Sequence, residues 1–160
     1  MVWGCFAGSH QGPLACFRGR NTAATYIAAL QDNLLPFIET MPTAIKNDFI
    51  FQQDNAAIHT ARITKAWFAE QAFKLMEWPP NSPDMNPIEH LWRVLKASLH
   101  KRFPDTSVLR GGPEKVREVL EERLKVVWKE IGPEVLANLV ESMPRRVAAL
   151  YAAQGWYTAY

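Results

Sequence analysis

The sequence has few cysteines and no long hydrophobic run, and both absences exclude classes of protein. Its two cysteines, Cys5 and Cys16, are too few for the disulfide framework of a small secreted domain or for a four-cysteine zinc site. Since the sequence shows no secretory signal, we expect both thiols to be reduced in an intracellular protein. No apolar run reaches the roughly eighteen residues of a membrane span, so we expect no membrane partner.

The chain also has little net charge and no internal repeat. A formal charge of +2 and a pI near 8.6 permit a polyanionic partner, but they are far below the positive excess that would indicate one. Hydrophobic residues make up 48% of the chain and charged residues 21%, which is the composition of a folded globular protein. A chain of 160 residues fits one domain with a sufficient core.

The order of the predicted elements indicates a mixed α/β fold, with strands first and helices last. The predicted strands lie at 1–8, 13–18, 48–54 and 73–78, and the predicted helices at 23–39, 61–71, 87–102, 114–131, 133–142 and 145–154. We predict that the first two strands are antiparallel, joined by a loop at 9–12, and that the last two form a parallel βαβ unit. Thr60 is the predicted cap of the helix at 61–71, whose inner side would carry Ile63, Trp67 and Phe68.

Two acidic residues stand at informative places between the third strand and the helix at 87–102. Asp54 lies in the polar end, starting at Gln52, of the strand that contains Phe49 to Phe51, and Glu89 lies in the first turn of a helix that begins after a proline-rich loop. Thirty-four residues separate the two, enough for one helix and one strand. We therefore expect both carboxylates to face one site rather than the core.

Two carboxylates that converge in this way repel each other unless a cation compensates them. Oxygen ligands favour Mg²⁺ or Mn²⁺, and a pair of such ions can promote phosphodiester cleavage or transfer. The same residue types also have purely structural uses: Asp54 and Asn55 suit a turn, and Asn86 with Glu89 matches a capping box. His59 and His90 fit hydrogen-bonding neighbours better than metal ligands, because no ligand spacing joins them.

Basic residues share the predicted helix at 87–102 with Glu89. Arg93 and Lys96 follow Glu89 at helical steps on one face, and Lys101 and Arg102 extend the positive end of the helix. These four residues could contact the phosphates of a nucleic acid. On residue types alone, such residues more often form an ordinary solvated face.

Several strings, in this order along the chain, resemble the catalytic domain of mariner-superfamily cut-and-paste transposases, of the branch whose acidic triad ends in Glu. They are QQDNAAIHTA, EWPPNSPDMNPIEHLWRVLK, Trp128 with Ile131, ESMPRR and the terminal GWYTAY. The resemblance implies an RNase H-like sheet flanked by helices, with residues 1–110 as a partial DDE core and 111–160 as its helical C-terminal tail. It also implies that Asp54 is the second catalytic acid, that Glu89 is the third, and that both bind Mg²⁺ or Mn²⁺.

One part of the family pattern has no counterpart in this sequence. In the resembled family the first catalytic Asp lies on a central strand that comes before the segment matching MVWG. Asp48 shares the strand of Asp54, Asp32 lies in a predicted helix and Asp84 in the proline-rich loop, so none of them replaces it. We therefore expect a fragment that lacks the first central strand and is inactive alone, although its parent would cleave and transfer DNA strands.

The resemblance further implies DNA as the partner, both transposon ends and target, with a possible homodimer and no small-molecule cofactor. It implies a nuclear location if the host is eukaryotic, and otherwise an intracellular one. Two alternatives stay open: a non-catalytic nucleic-acid-binding or assembly module derived from a transposase, and an unstable product with no activity. The first predicts salt-sensitive DNA binding that survives loss of Glu89, and the second predicts no cooperative melt.

Overall fold

The computed structural model describes residues 1–80, 82–156 and 158–159. Three residues of the quoted strings, Asn81, Tyr157 and Tyr160, lie outside the described residues. The strands are β1 (Val2–Ala7), β2 (His10–Cys16), β3 (Ile50–Phe51) and β4 (Lys74–Leu75). Among the described residues they form two separate two-stranded sheets, β1 with β2 and β3 with β4.

The first sheet is the expected antiparallel hairpin, but its loop lies elsewhere than predicted. Ala7 pairs with His10, so the loop is the two-residue turn Gly8–Ser9 rather than 9–12. Gly8 has a φ of 58°, a left-handed conformation that glycine adopts without strain and that two-residue hairpin turns require. Gly12, which the sequence pattern places in the loop, lies within β2, where a Cβ would collide with the Cys5 sulfur.

The predicted helix at 23–39 is a continuous helical run with a change of winding before its proline. It consists of α1 (Ala23–Ala29), a π-helical turn (Leu30–Leu34) and α2 (Leu35–Thr40). Because Pro36 has no N–H to donate, the backbone bonding pattern must change in the preceding turn. The expected loosening near Pro36 is therefore confirmed.

The βαβ unit is parallel as predicted, but its parts are shorter. Ile50 pairs with Lys74 and Phe51 with Leu75, so each strand has two paired residues. The helical segments between them are α4 (Ala57–Thr60) and α5 (Arg62–Ala69). Thr60 does not cap α5, since it belongs to α4 and its hydroxyl donates to the Ala56 carbonyl.

One buried position predicted for this unit is wrong. Trp67 and Phe68 are buried, but Ile63 is 49% exposed. The buried face of α5 runs through Thr64, Trp67 and Phe68, so Ile63, one residue before Thr64, lies on the exposed side of that face.

The helices from residue 87 onwards lie close to their predicted positions. They are α6 (Pro87–Arg102), α7 (Gly112–Lys129), α8 (Pro133–Glu141) and α9 (Met143–Ala152), with 3₁₀ turns at Pro83–Met85 and Pro104–Val108. The short helix α3 (Thr43–Lys46), which follows Pro42, is not predicted by the sequence pattern. Leu91, Leu95 and Leu99 form the buried stripe of α6. Within the described residues, no helix combines the length and apolar character needed to cross a bilayer.

Two clusters of buried side chains form the core. One joins β1 to the first helical run, β3 and α5, with Tyr26, Leu30 and Leu34 almost fully enclosed. The other joins β2 to α6, α7 and α8 around Leu91 and Val127. Each strand of the hairpin contributes to both clusters: Trp3 and Ala15 pack in the first, and Phe6 and Leu14 in the second.

Candidate active site

A cavity of about 700 Å³ separates β1 from β3. Every residue from Met1 to Gly8 and every residue from Asp48 to Asp54 lines it. Successive side chains of a strand point to opposite faces, so a cavity lined by all of them runs along the edges of the two strands. Glu89 lines the same cavity, so the two predicted acidic residues and Asp48 all border one space.

Asp54 follows β3 by three residues and uses one carboxylate oxygen for local structure. Its Oδ1 accepts a hydrogen bond from the Ala56 N–H at 3.0 Å and lies 2.6 Å from Nδ1 of His59. The turn chemistry foreseen for this position is thus present, and His59 is the hydrogen-bonding neighbour that was expected. The side chain is 49% exposed, and Oδ2 has no partner among the described residues. One oxygen therefore stays available for a ligand.

The ring of Tyr26 packs against His59, the residue that pairs with Asp54. The rings of Tyr26 and His59 lie with their centroids 4.3 Å apart, and the Tyr26 hydroxyl donates to Oε1 of Gln53 at 2.5 Å. Burial, and then the negative charge of Asp54, raise the pKa of Tyr26 well above its usual range. The phenol consequently stays protonated and keeps donating to Gln53, which fixes the strand end next to Asp54.

Glu89 lies in the first turn of α6 but does not take part in a capping box. The Asn86 side chain makes no capping bond, because its Oδ1 instead accepts from Nε2 of Gln52 at 3.2 Å. Asn86 contacts the first turn of α6 through its backbone instead, because its carbonyl accepts a hydrogen bond from the Glu89 N–H. The capping-box interpretation of Glu89 is therefore wrong, and within the described part of the chain its carboxylate has no hydrogen-bond or ion-pair partner.

These donors suit a hard divalent cation. Carboxylate oxygens are the ligands that Mg²⁺ takes in proteins, usually from one or two residues, with waters and substrate phosphates in the other positions. Among the described residues there is no group of three or more His, Cys, Asp or Glu side chains arranged to hold a metal ion. Asp54 and Glu89 thus fit a cation that is held in part by other ligands.

The four predicted phosphate contacts lie exposed on α6. Arg93, Lys96 and Lys101 have no ion-pair partner among the described residues, whereas Arg102 lies 3.6 Å from the Glu130 carboxylate. Arg102 is therefore the least available of the four. His90 lies beside Glu89, and burial together with the positive charges of Arg146 and Arg93 lowers its pKa, so it carries little charge at neutral pH.

Sequence reasoning missed the polar residues that connect the two acidic segments. The sequence pattern places Gln52 at a polar strand end and Asn86 at a helix cap, yet the two side chains bind each other. Asp84, which the sequence pattern places in the proline-rich loop, is buried and bonded to the C-terminal segment. Their polar character near the two acids was visible in the sequence, but the pairing needs the fold.

Comparison with protein families gives a match over most of the chain. The sequence model of the family described as DDE superfamily endonuclease matches residues 5–110. The Tcb1 transposase of Caenorhabditis briggsae is 34% identical over 160 residues, and the Tc1 transposase of Caenorhabditis elegans is 34% identical over 164 residues. Each alignment covers 100% of this chain and 54% of the relative, so the chain spans about half the length of these curated relatives.

Solved structures of transposases share the fold. The Mos1 transposase catalytic domain, determined with raltegravir and Mg, superposes with a TM-score of 0.74 at 21% identity, covering 98% of this chain and 75% of that one. The Mos1 mariner paired end complex with Mn gives a TM-score of 0.76 at 21% identity, covering 98% of this chain and 44% of that one. The predicted mixed α/β, RNase H-like fold class is confirmed.

Proposed function

The chain belongs to the DDE superfamily endonuclease family, and on that premise we propose that it provides the metal-binding half of a transposase active site. The observation that carries this proposal is that Asp54 and Glu89 line one cavity, each with carboxylate oxygen free of any partner among the described residues. The bond between Gln52 and Asn86 holds the segments of the two acids together. The reaction would be cleavage and transfer of DNA strands.

Asp54 and Glu89 would hold Mg²⁺ or Mn²⁺. A bound divalent cation would offset the negative charge of the phosphodiester that reacts. The residues of this chain would keep the two carboxylates in place, since His59 and the Ala56 N–H orient Asp54 while Glu89 stays unpaired. The metals named for the Mos1 structures support this assignment.

DNA would lie along α6. Arg93 and Lys96 are exposed on the helix that carries Glu89 in its first turn, so they could hold phosphates near the acidic pair, with Lys101 and Arg102 further along. Since Arg102 is paired with Glu130, we assign it the weakest contact. The paired end complex of Mos1 supports transposon-end DNA as the substrate, and assembly as a homodimer in a nucleus would suit the same reaction.

The cavity also suggests what completes the site. Edge strands expose unpaired N–H and C=O groups, and both strands bordering this cavity are edge strands among the described residues. A further extended segment seated between β1 and β3 could pair with both and bring another acid to Asp54 and Glu89. We therefore propose that this 160-residue polypeptide does not cleave DNA alone.

Metal binding by the purified chain tests the acidic pair. We expect Asp54→Asn and Glu89→Gln each to weaken Mn²⁺ binding at least about tenfold in isothermal titration, as loss of a direct ligand would. Asp48→Asn is the matched control, because Asp48 lines the same cavity and is exposed. Equal affinities in all four proteins would overturn the assignment.

DNA binding and cleavage test the rest of the proposal. Arg93→Gln with Lys96→Gln should reduce the slope of log affinity against log salt by about one per lost phosphate contact, whereas Lys65→Gln on α5 should not. Strand cleavage by the 160-residue chain that is abolished by Asp54→Ala would refute its inactivity. DNA binding without any metal binding would favour the non-catalytic nucleic-acid-binding module instead.

A further inference from the structure

The turn that leads into α6 is bonded to the C-terminal end of the chain. Arg146, on α9, is only 1% exposed and donates from Nη1 to the backbone carbonyl of Asp84 at 2.5 Å. Its Nε donates to the Ser142 hydroxyl at 2.8 Å. A buried guanidinium is costly unless it is hydrogen-bonded, so these bonds fix both the arginine and the carbonyl it reaches.

A second contact reaches the same residue from the terminal segment. Asp84 is 8% exposed, and its Oδ2 accepts from the Thr158 hydroxyl at 2.7 Å and from the Thr158 N–H at 3.2 Å. Asp84 is therefore bonded through its backbone to α9 and through its side chain to the segment beyond α9. Both contacts connect residues more than sixty positions apart.

Hydrogen bonds continue from Asp84 to the acidic pair. Asp84 is the middle residue of the 3₁₀ turn Pro83–Met85, and the Asn86 N–H donates to the Pro83 carbonyl. Asn86 then binds Gln52 through its side chain and accepts from the Glu89 N–H through its carbonyl. A displacement of the turn would consequently move Asn86 and the first turn of α6 together.

We propose that Arg146, Asp84 and Thr158 form a C-terminal latch that positions Glu89 for its ligand. The latch acts on Glu89 through the turn Pro83–Met85 and Asn86, so its members are positioning residues and touch no substrate. The metal-binding part of this inference rests on the proposed function of Glu89. The hydrogen-bonding part rests on the structure of the turn alone.

Thr158 gives the sharpest test, because it can be changed without disturbing the core. Thr158→Val removes the hydroxyl donor, and we expect amide hydrogen exchange at Met85, Asn86 and Glu89 to become about fivefold faster, as loss of one hydrogen bond predicts. Mn²⁺ affinity should fall severalfold in the same protein. Thr158→Ser should restore both values, because serine keeps the hydroxyl.

A matched control separates the latch from a general loss of stability. The Thr40 hydroxyl also makes one bond, to the Phe37 carbonyl at 2.7 Å, and Thr40→Val should leave exchange at 85–89 unchanged. Unchanged exchange at these amides in Thr158→Val, or an equal rise throughout the chain, would overturn the latch. Faster exchange with unaltered Mn²⁺ affinity would overturn its action on Glu89.

The exchange measurement also distinguishes this inference from the proposed function. If the unmodified chain binds no Mn²⁺, the metal site is wrong. Amide hydrogen exchange at residues 85–89, compared between Thr158→Val and Thr158→Ser, then still shows whether the C-terminal segment holds the turn Pro83–Met85.

Discussion

The side chain of Gln52 donates a hydrogen bond to the side chain of Asn86, with 3.2 Å between Nε2 and Oδ1. Gln52 lies two residues before Asp54, and Asn86 lies three residues before Glu89. The bond thus joins the end of β3 to the start of α6 at the level of the two acids. Asn86 is buried, so water replaces this bond poorly if it is lost.

A double-mutant cycle measures this connection. We expect Gln52→Ala and Asn86→Ala to show a coupling free energy of about 1 kcal/mol in urea unfolding, because each single change removes the same bond. The free energies of unfolding of the two single variants and the double variant give the coupling directly. Strict additivity of the two changes would mean that the bond does not hold the segments together.

Trp128 should be a second sensitive position, because it ties α7 to the hairpin. It is 3% exposed, stacks on Trp92 with centroids 5.6 Å apart and donates from Nε1 to the Gly12 carbonyl at 2.9 Å. Trp128→Phe removes the donor, leaves that carbonyl unsatisfied and shortens the ring, so we expect a loss of about 2–3 kcal/mol in unfolding free energy. Tyr151→Phe, at a residue 85% exposed, should cost under about 0.5 kcal/mol. A similar small loss in both variants would contradict the packing role of Trp128.

The two thiols should differ in reactivity. Burial raises the pKa of Cys5 to about 12, so at pH 8 only about one in ten thousand of these thiols is ionised. Burial and the charge of Glu121 also raise the pKa of Cys16, but Lys125 and the chain's amino terminus offset part of that rise. We expect iodoacetamide to modify Cys16 first, as mass spectrometry of partly alkylated protein would show. Faster labelling of Cys5 would show that the hairpin opens readily.

Asp105 provides a test of pH dependence. A hydrogen bond from Arg123, with 2.8 Å between Nη2 and Oδ2, lowers the pKa of this carboxyl below its ordinary value of 3.8. A lowered folded-state pKa stabilises the fold above the ordinary value, and the contribution disappears as the pH falls through the lowered one. In Arg123→Gln we expect the Asp105 pKa, followed by carbon-13 NMR, to return towards 3.8. An unchanged pKa would mean that the ion pair is absent in solution.

Helices with a regular apolar stripe and a proline near each end are predictable from the sequence. The stripe of Leu91, Leu95 and Leu99, with Pro87 at the start and Pro104 after the end, predicts both limits of α6 correctly. Such signals are local, because a helix needs only its own residues to define its face. The hairpin is predictable for the same reason, but its turn lies at Gly8–Ser9 rather than at 9–12, since Gly8 and Gly12 are both turn formers.

Features that depend on distant partners could not be predicted. Asn86 and Glu89 match a capping box locally, and only the proximity of Gln52 diverts the Asn86 side chain. Arg146 lies in the last predicted helix with no local sign of burial, yet it is 1% exposed and donates to the Asp84 carbonyl. In each case, the polar partner lies more than thirty residues away and the sequence gives no sign of the pairing.

The edges that border the cavity should make the chain self-associate. Ile50 on β3 is 48% exposed beside an unpaired strand edge, and exposed apolar edges pair with other chains. A lysine there would add charge to the edge, so we expect Ile50→Lys to reduce both concentration-dependent association and binding of an apolar dye. Ile63→Lys is the matched control, since Ile63 is 49% exposed but lies on α5 and does not line the cavity. Analytical ultracentrifugation of both variants distinguishes an effect at the strand edge from a general effect of added charge. An equal reduction of association in both variants would show that the strand edges are not the surfaces that associate.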